Sequence, residues 1–323
     1  MVRMRLNETR SSSRTRLRRR RLVPGFVRTS VPKPLRLKVV GIQSMSVDFA
    51  IGFGKRLLGR GGRFTPPRHL FLKAGVGGRV INFEKNGMEI FRLIRQLSDL
   101  KSSASVLEIG CGIGRNAVPL TRYLSQKGCY AGLDIVSSSI GWCQNKITPR
   151  FPNFRFRLAD VYNEHYNPRG RFKAREYRFP YSDECFDFIF LVSVFTHMMP
   201  EDLEHYLSEI ARVLKPEGKC MTTYLLLNPE SLKLMDSGLS TYDLRFGTDP
   251  CRYVNKNLPE ATIGYREDYV KEIYRKFGLM IMEPIRYGWW PGRAPSDCLN
   301  LQDIVLAERI LDRVKHNGIR VSA

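Results

Sequence analysis

Residues 106–115, Val-Leu-Glu-Ile-Gly-Cys-Gly-Ile-Gly-Arg, constrain this chain more than any other stretch. A run of strand composition enters three alternating glycines, Gly110, Gly112 and Gly114, and an acid, Glu108, stands two places before the first. Glycine is needed where the backbone turns sharply or must lie against a ligand with no Cβ between them. A turn of this kind at the carboxyl end of a first parallel strand is where open α/β sheets bind nucleotide-type cofactors. The dinucleotide fingerprint places its third glycine three positions after its second, against a pyrophosphate at a helix N-terminus. Here that position holds Arg115, and Glu108 would repel a pyrophosphate. A ligand with an amino group and a sulfonium would meet the same carboxylate favourably.

Downstream, strand and helix patterns alternate. Residues 116–126 read as a helix with Val118, Leu120 and Leu124 apolar. Residues 130–135 read as a second buried strand ending at Asp134, where a carboxylate can accept both hydroxyls of a ribose. A third strand, 154–160, ends in Asp160. Residues 186–195 are apolar apart from Asp187 and Ser193, as a central parallel strand covered on both faces should be. Pro200 opens a helix with Leu203, Tyr206, Leu207, Ile210 and Val213 on one side, and Pro216 and Gly218 close it. A fifth strand at 219–227, a helix at 265–277 with Gly278 as its C′ residue, and strands at 279–285 and 302–307 complete the pattern. Ahead of the first strand, Ile90, Ile94 and Leu97 give residues 83–97 a helical stripe, with Leu93 beside it.

The motif at 108–114, acidic-x-Gly-x-Gly-x-Gly, resembles the first motif of class I S-adenosylmethionine-dependent methyltransferases. The five β-α units and the closing strand pair resemble that family from about residue 63 to 309. The resemblance implies a doubly wound, seven-stranded, mostly parallel α/β sheet with helices on both faces and the seventh strand inserted antiparallel. It implies S-adenosylmethionine as cofactor, S-adenosylhomocysteine as product, and cofactor contacts from Glu108, Gly110, Cys111, Gly112, Gly114, Asp134, Ile135, Asp160, Val161 and Ser193. Asp160 and the Val161 backbone fall at the adenine edge. The helix at 83–97 either lies across the cofactor pocket or caps the sheet edge. Tyr166-Asn167-Pro168, Ser193 to His197 and Gln302-Asp303-Ile304 look like a bacterial branch, and point to a small-molecule or glycan-type acceptor.

Composition fits one sizeable domain at 81–310. No apolar run approaches the eighteen or so residues of a membrane span. Seven cysteines are scattered without a Cys-x-x-Cys pair, which points to a reducing, cytoplasmic setting with buried thiols rather than disulfides or zinc. The formal charge of +22 is unevenly placed. Residues 1–80 hold 20 of the 53 Lys+Arg and 2 of the 31 Asp+Glu, a net of +18; residues 81–323 therefore hold 33 and 29, a net of +4. Nucleic acid is accordingly not the expected partner of the core. Residues 1–44, Arg-rich and without apolar periodicity, read as disordered. A transit peptide, a loose polyanion-binding arm and an upstream extension ahead of Met45 all fit that composition, the last being favoured. Residues 45–80 read as a prelude, with a short basic helix at 47–60, and 311–323 as a tail.

Methyl transfer asks mainly for alignment of acceptor and methyl carbon. A hydroxyl acceptor, the expected kind, also needs a base, and His197 after the fourth strand is the candidate; His165 reads as loop surface. No proline pair follows Ser193, as nucleic-acid amino-methylating enzymes require, and Pro250-Cys251 falls too late for a cytosine C5 nucleophile. No metal is expected. Substrate selection is assigned to insertions at 162–181, 228–264 and 288–301, through Tyr166, Trp289, Trp290 and Arg293. The paired tryptophans and the arginine can clamp a ring or an anion, or simply pack. Oligomeric state is not legible.

Overall fold

The computed structural model describes residues 64–73 and 83–310. The leader at 1–44, the helix expected at 47–60 and the tail at 311–323 lie outside the described residues. Helix α1, Arg68–Lys73, precedes α2, Phe83–Ser98, and then β1, Ser105–Ile109. Next come α3 (Ala117–Leu120), β2 (Cys129–Asp134), α4 (Ser137–Lys146), β3 (Phe154–Leu158) and β4 (Phe186–Leu191). The second half runs α5 (Pro200–Val213), β5 (Leu214–Tyr224), β6 (Leu226–Leu227), α6 (Pro229–Asp236), β7 (Cys251–Tyr253), β8 (Ile263–Arg266), α7 (Glu267–Lys276), β9 (Leu279–Ile281) and β10 (Asp303–Arg309).

Seven strands form one sheet in the order β3-β2-β1-β4-β5-β10-β9. β1 pairs in parallel with β2 and β4, β2 with β3, and β4 with β5; β10 runs antiparallel to both β5 and β9. This is the doubly wound topology expected from the sequence. Two apolar clusters cover the sheet. Leu107, Ile189 and Leu191 belong to one with Leu203, Leu207 and Ile210 of α5, while Val106, Phe188 and Phe190 belong to the other with Ile90 and Ile94 of α2. Adjacent strand residues thus feed opposite layers, which is why β1 and β4 carry apolar residues on both faces. The strand order reverses between β1 and β4, and that reversal opens a crevice at their carboxyl ends.

Several elements depart from the sequence pattern. The helix expected at 116–126 is only Ala117–Leu120. From there Arg122 and Tyr123 donate to carbonyls three residues back, Pro119 and Leu120, so the chain continues in tighter turns. The fourth strand stops at Leu191, because Ser193 takes a left-handed φ of +59° and turns the chain into a short 3₁₀ helix, Phe195–His197. The insertion at 228–264 is not a loop. It carries α6 and β7 and, with β6 and β8, builds a second sheet in the order β6-β8-β7. Residues 265 and 266, expected in a helix, belong to β8, and α7 starts at Glu267. Helix α2 lies behind the glycine turn: a Cβ on Gly87 would stand 2.3 Å from the Arg115 carbonyl oxygen. Cys129 is exposed, unlike the buried thiols expected, and all seven cysteines are free. Among the described residues no helix is long and apolar enough to cross a membrane.

The two sheets are tied together at Asp303. Its carboxylate is fully buried and accepts from Gly288 N–H, Leu226 N–H and the Trp290 indole, each at 2.7 Å. Burial pushes its pKa up to about 6, against the pull of those donors and of Arg293. A folded-state value above the unfolded one means this group favours the fold most below about pH 4, and the contribution fades as pH rises through 6. Replacing it with alanine strands three buried donors, each worth about 1–3 kcal/mol. We expect Asp303→Ala to destabilise the chain by on the order of 4 kcal/mol, a fall in Tm of roughly 10 °C. Asp303→Asn, which keeps one carbonyl acceptor, should lose visibly less in the same melt.

Candidate functional site

The crevice at the carboxyl ends of β1, β2 and β4 holds a cavity of about 280 Å³. Its near wall is the glycine turn, from Glu108 to Asn116, with Leu133 to Val136 beside it. Gly110, Gly112 and Gly114 have φ of +76°, +50° and +76°, the left-handed region in which glycine alone is unstrained. Their space requirements differ. A Cβ on Gly110 would stand 2.4 Å from Val194 Cγ2, and one on Gly114 would stand 2.7 Å from Ile147 Cδ1. A Cβ on Gly112 would meet nothing within 4 Å.

The turn is pinned from β2. Gly110 and Cys111 donate to the Leu133 carbonyl at 2.7 and 3.1 Å. Gly112 N–H donates to Asp134 Oδ2 at 2.7 Å, and Asp134 Oδ1 accepts from Val136 N–H at 2.8 Å. Burial raises the Asp134 pKa while these amides lower it. Both carboxylate oxygens retain further lone pairs, and Asp134 lines the cavity.

Glu108 is buried at the base of the turn. Asn116 Nδ2 donates to one oxygen at 2.7 Å, and the Tyr130 hydroxyl donates to the other. Desolvation dominates over these partners and over Arg115, so its pKa is raised to about 7. The folded chain therefore binds this proton more readily than the unfolded one, and Glu108 weakens the fold as pH rises through 7. An acid held here against that tendency points to a cationic ligand as its counter-charge. Arg115 Nε is buried with no hydrogen-bond partner, and the side chain lines the same cavity.

The far wall comes from three segments. Val161, Tyr162, Asn163 and Tyr166 follow β3; Ser193, Val194, His197 and Met198 follow β4; Asp202, Tyr206 and Glu260 come from α5 and from the insertion at 228–264. Ser193 N–H donates to Thr223 Oγ1 at 2.8 Å, and its hydroxyl donates to Gln302 Oε1 at 2.9 Å. His197 Nδ1 lies 2.9 Å from the Glu260 carbonyl oxygen, which can only accept. The tautomer is thereby fixed, with Nε2 carrying the lone pair, and burial lowers the pKa so that the ring is neutral near pH 7. The Tyr166 ring meets His197 edge-on at 5.8 Å, and His165 packs on Tyr166 at 4.7 Å.

The cavity thus gathers Glu108, Gly110, Cys111, Gly112, Asp134, Ile135, Val161, Ser193, Tyr166 and His197 of the residues expected from sequence. Gly114 shapes the turn from behind. Asp160 does not face the cavity. Past the end of β3 at Leu158 the alternation slips by one residue, so Ala159 and Val161 turn inward and Asp160 outward, where it pairs with Arg171 Nε at 2.5 Å. Trp289, Trp290 and Arg293 also lie elsewhere. Trp290 is fully buried with Leu225, Leu227 and Leu244 under the second sheet, and Arg293 binds Glu230 and the Gly288 carbonyl. Trp290 and Arg293 pack the insertion rather than clamp a ligand in this cavity. Sequence reasoning missed Arg115, Asn116, Asn163, Asp202 and Glu260 as lining residues. Arg115 followed directly from the turn, but nothing local marked the other two acids. Among the described residues no cluster of metal-binding type occurs.

Residues 106–218 match the family model described as a methyltransferase domain, 113 of the 323 residues. A tRNA N(3)-cytidine methyltransferase of Gallus gallus is 26% identical over 127 residues, covering 36% of this chain and 30% of that protein. A probable cobalt-precorrin-6B C(15)-methyltransferase of Thermoplasma acidophilum is 29% identical over 142 residues, covering 42% of this chain and 61% of that protein. The chain thus spans less than two thirds of either relative. Among solved structures, a protein of Pyrococcus horikoshii OT3 is 15% identical, with a TM-score of 0.49, over 71% of this chain and 92% of its own. The magnesium protoporphyrin IX methyltransferase of Synechocystis PCC 6803, solved with S-adenosylhomocysteine, is 15% identical, with a TM-score of 0.44, over 71% and 84%.

The lining fits S-adenosylmethionine. Glu108 and Asp134 offer acceptors for an ammonium and a ribose diol, the unpartnered Arg115 Nε is a donor for a carboxylate, and Gly112 leaves room for close approach. Two alanine substitutions separate fold from site. We expect Gly110→Ala to lower Tm, because Val194 must move and a left-handed alanine costs about 1–2 kcal/mol. Gly112→Ala carries only that backbone cost, yet should weaken S-adenosylhomocysteine binding by about tenfold or more, since its methyl occupies the cavity. Melting curves and calorimetric titration of the two variants read the difference.

Proposed function

We propose that this chain is an S-adenosylmethionine-dependent methyltransferase acting on a small-molecule acceptor. The observation that carries the reading is the polarity of one cavity: four carboxylates, Glu108, Asp134, Asp202 and Glu260, against one guanidinium, Arg115. When bound, the cofactor supplies a methyl group already activated for displacement by its sulfonium. The chain's own part is to hold an acceptor atom in line about 3–3.5 Å from that carbon and to keep water out. Glu108 receives the cofactor's ammonium, Asp134 its ribose hydroxyls and Arg115 its carboxylate. Ser193, fixed on Thr223 and Gln302, holds the floor of the cavity. His197 is the proton acceptor, through Nε2, and the Glu260 carbonyl holds its tautomer.

A second reading, an RNA acceptor, is favoured by the tRNA-modifying relative and by the net charge of +18 within residues 1–80. It requires affinity for RNA that falls steeply with salt. A small-molecule acceptor requires turnover that salt barely changes.

Thermal unfolding of the full chain with and without S-adenosylhomocysteine tests the cofactor assignment. Ligand at about a hundred times its Kd adds about 2.7 kcal/mol, or roughly 5–10 °C in Tm. We expect that shift in the wild type and its loss in Asp134→Ala, each measured against its own ligand-free melt. A folded wild type that does not shift overturns the reading.

The pH dependence follows from Glu108. Its pKa of about 7 in the free protein means that much of it is neutral at pH 6, where a cationic ligand gains little from it. We expect S-adenosylhomocysteine to bind more weakly at pH 6 than at pH 7.5 in calorimetric titration, with release of a proton on binding. Glu108→Gln should flatten that dependence and lower affinity at pH 7.5. It should fold, because Asn116 Oδ1 has no partner and can accept the new amide once the Asn116 side chain flips.

A further inference from the structure

The far wall carries more negative charge than the cofactor can use. Glu108, Asp134 and Arg115 lie along the glycine turn and β2, and they match the groups of S-adenosylmethionine. Asp202 and Glu260 face the cavity from other elements, and neither forms an ion pair among the described residues. Asp202 Oδ1 accepts from Arg175 N–H at 2.9 Å, while the Arg175 guanidinium is engaged by Glu201. Glu260 Oε2 accepts from Asn163 Nδ2 at 2.8 Å. Backbone amides also reach them, Met199 to Asp202 and Glu164 to Glu260, so each carboxylate is held by neutral donors and has no cationic partner. Burial holds both above the usual carboxylate range, and Asp202 adds to the effect on Glu260. Two carboxylates facing one cavity without a cationic partner are a binding arrangement for a cation. Beside them stands the Tyr166 ring, edge-on to His197 at 5.8 Å, and the face of a tyrosine ring suits an organic cation.

We infer that the methyl acceptor is a small organic amine, bound as its ammonium against Asp202 and Glu260. The inference rests on the methyltransferase reading above and replaces the hydroxyl acceptor expected from the sequence. The proton and electron count closes with the residues present. The bound ammonium passes one proton to Nε2 of His197, which exposes the nitrogen lone pair. That lone pair forms the C–N bond as the C–S bond breaks and its electrons remain on sulfur. Positive charge moves from sulfur to nitrogen, and the product is again an ammonium facing the same two carboxylates. Their charge thus stabilises the group that becomes cationic during transfer, which a neutral amide at either position would not do. His197 then returns its proton to solvent. An alcohol acceptor would leave the half-buried Asp202 and Glu260 with no counter-charge.

Three ligands of one shape test this: phenethylamine, 2-phenylethanol and phenylacetate, titrated calorimetrically into the full chain saturated with S-adenosylhomocysteine. The expected order is amine over alcohol by about tenfold or more, with phenylacetate weakest. Asp202→Asn with Glu260→Gln should bring the amine down to the level of the alcohol while S-adenosylhomocysteine affinity stays within about twofold. Both replacements keep a carbonyl for the Arg175 and Asn163 donors, and Glu260→Gln alone carries the same test if the double variant fails to melt cooperatively. The proposal is overturned if alcohol or phenylacetate binds as well as the amine. It is equally overturned if none of the three binds at about 10 mM, or if the preference survives the substitutions. Absence of S-adenosylhomocysteine binding in the folded wild type would instead sink the methyltransferase reading.

Discussion

The hydrogen bond from Gly112 N–H to the Asp134 carboxylate holds the site in shape. It joins the ends of two parallel strands, so the glycine turn inherits its position from the register between β1 and β2. That register sets Ile109 opposite Leu133, whose carbonyl takes the amides of Gly110 and Cys111. A turn of three left-handed glycines has high conformational freedom when free. These four backbone bonds, with Val136 on the other Asp134 oxygen, replace that freedom with one arrangement. The cavity depends on it, because its near wall is the inner surface of the turn.

Around this clamp the fold places charge where the isolated chain would not. Glu108 is carried below the surface by an otherwise apolar strand, and Tyr130 and Asn116 only partly offset its desolvation. Asp134, Asp202 and Glu260 are likewise raised by burial. A site of this kind stores unfavourable electrostatics in the ligand-free state that a cation relieves on binding. Stability and ligand affinity therefore oppose one another here, and the buried apolar layers on both faces of the sheet supply the stability that the cavity forgoes.

Of the three insertions, two reach the cavity and one, residues 288–301, does not. Residues 162–166 and Glu260 complete the far wall, and Glu260 does so from the second small sheet, which Asp303 ties to the main one. Trp290 serves that junction instead. Its indole satisfies a buried carboxylate, and its ring fills the space under Leu225, Leu227 and Leu244. An aromatic pair in a loop sequence carries no mark of which role it has.

The sequence by itself determined the sheet and half the site. Strand composition, punctuating glycines and prolines, and the acids closing β1 and β2 are local signals, read within a few residues of where they act. Period-two alternation was also local, yet it broke where β3 ended at Leu158, and a slip of one residue turned Asp160 outward. Only the tertiary structure decided the other half. Asp202 lies in the first turn of α5, and Glu260 lies in a 3₁₀ turn 58 positions on. Each looks like an ordinary acid on a solvated surface until chain crossings bring both to one cavity with His197. That meeting depends on contacts between residues far apart in the chain, which no local pattern encodes.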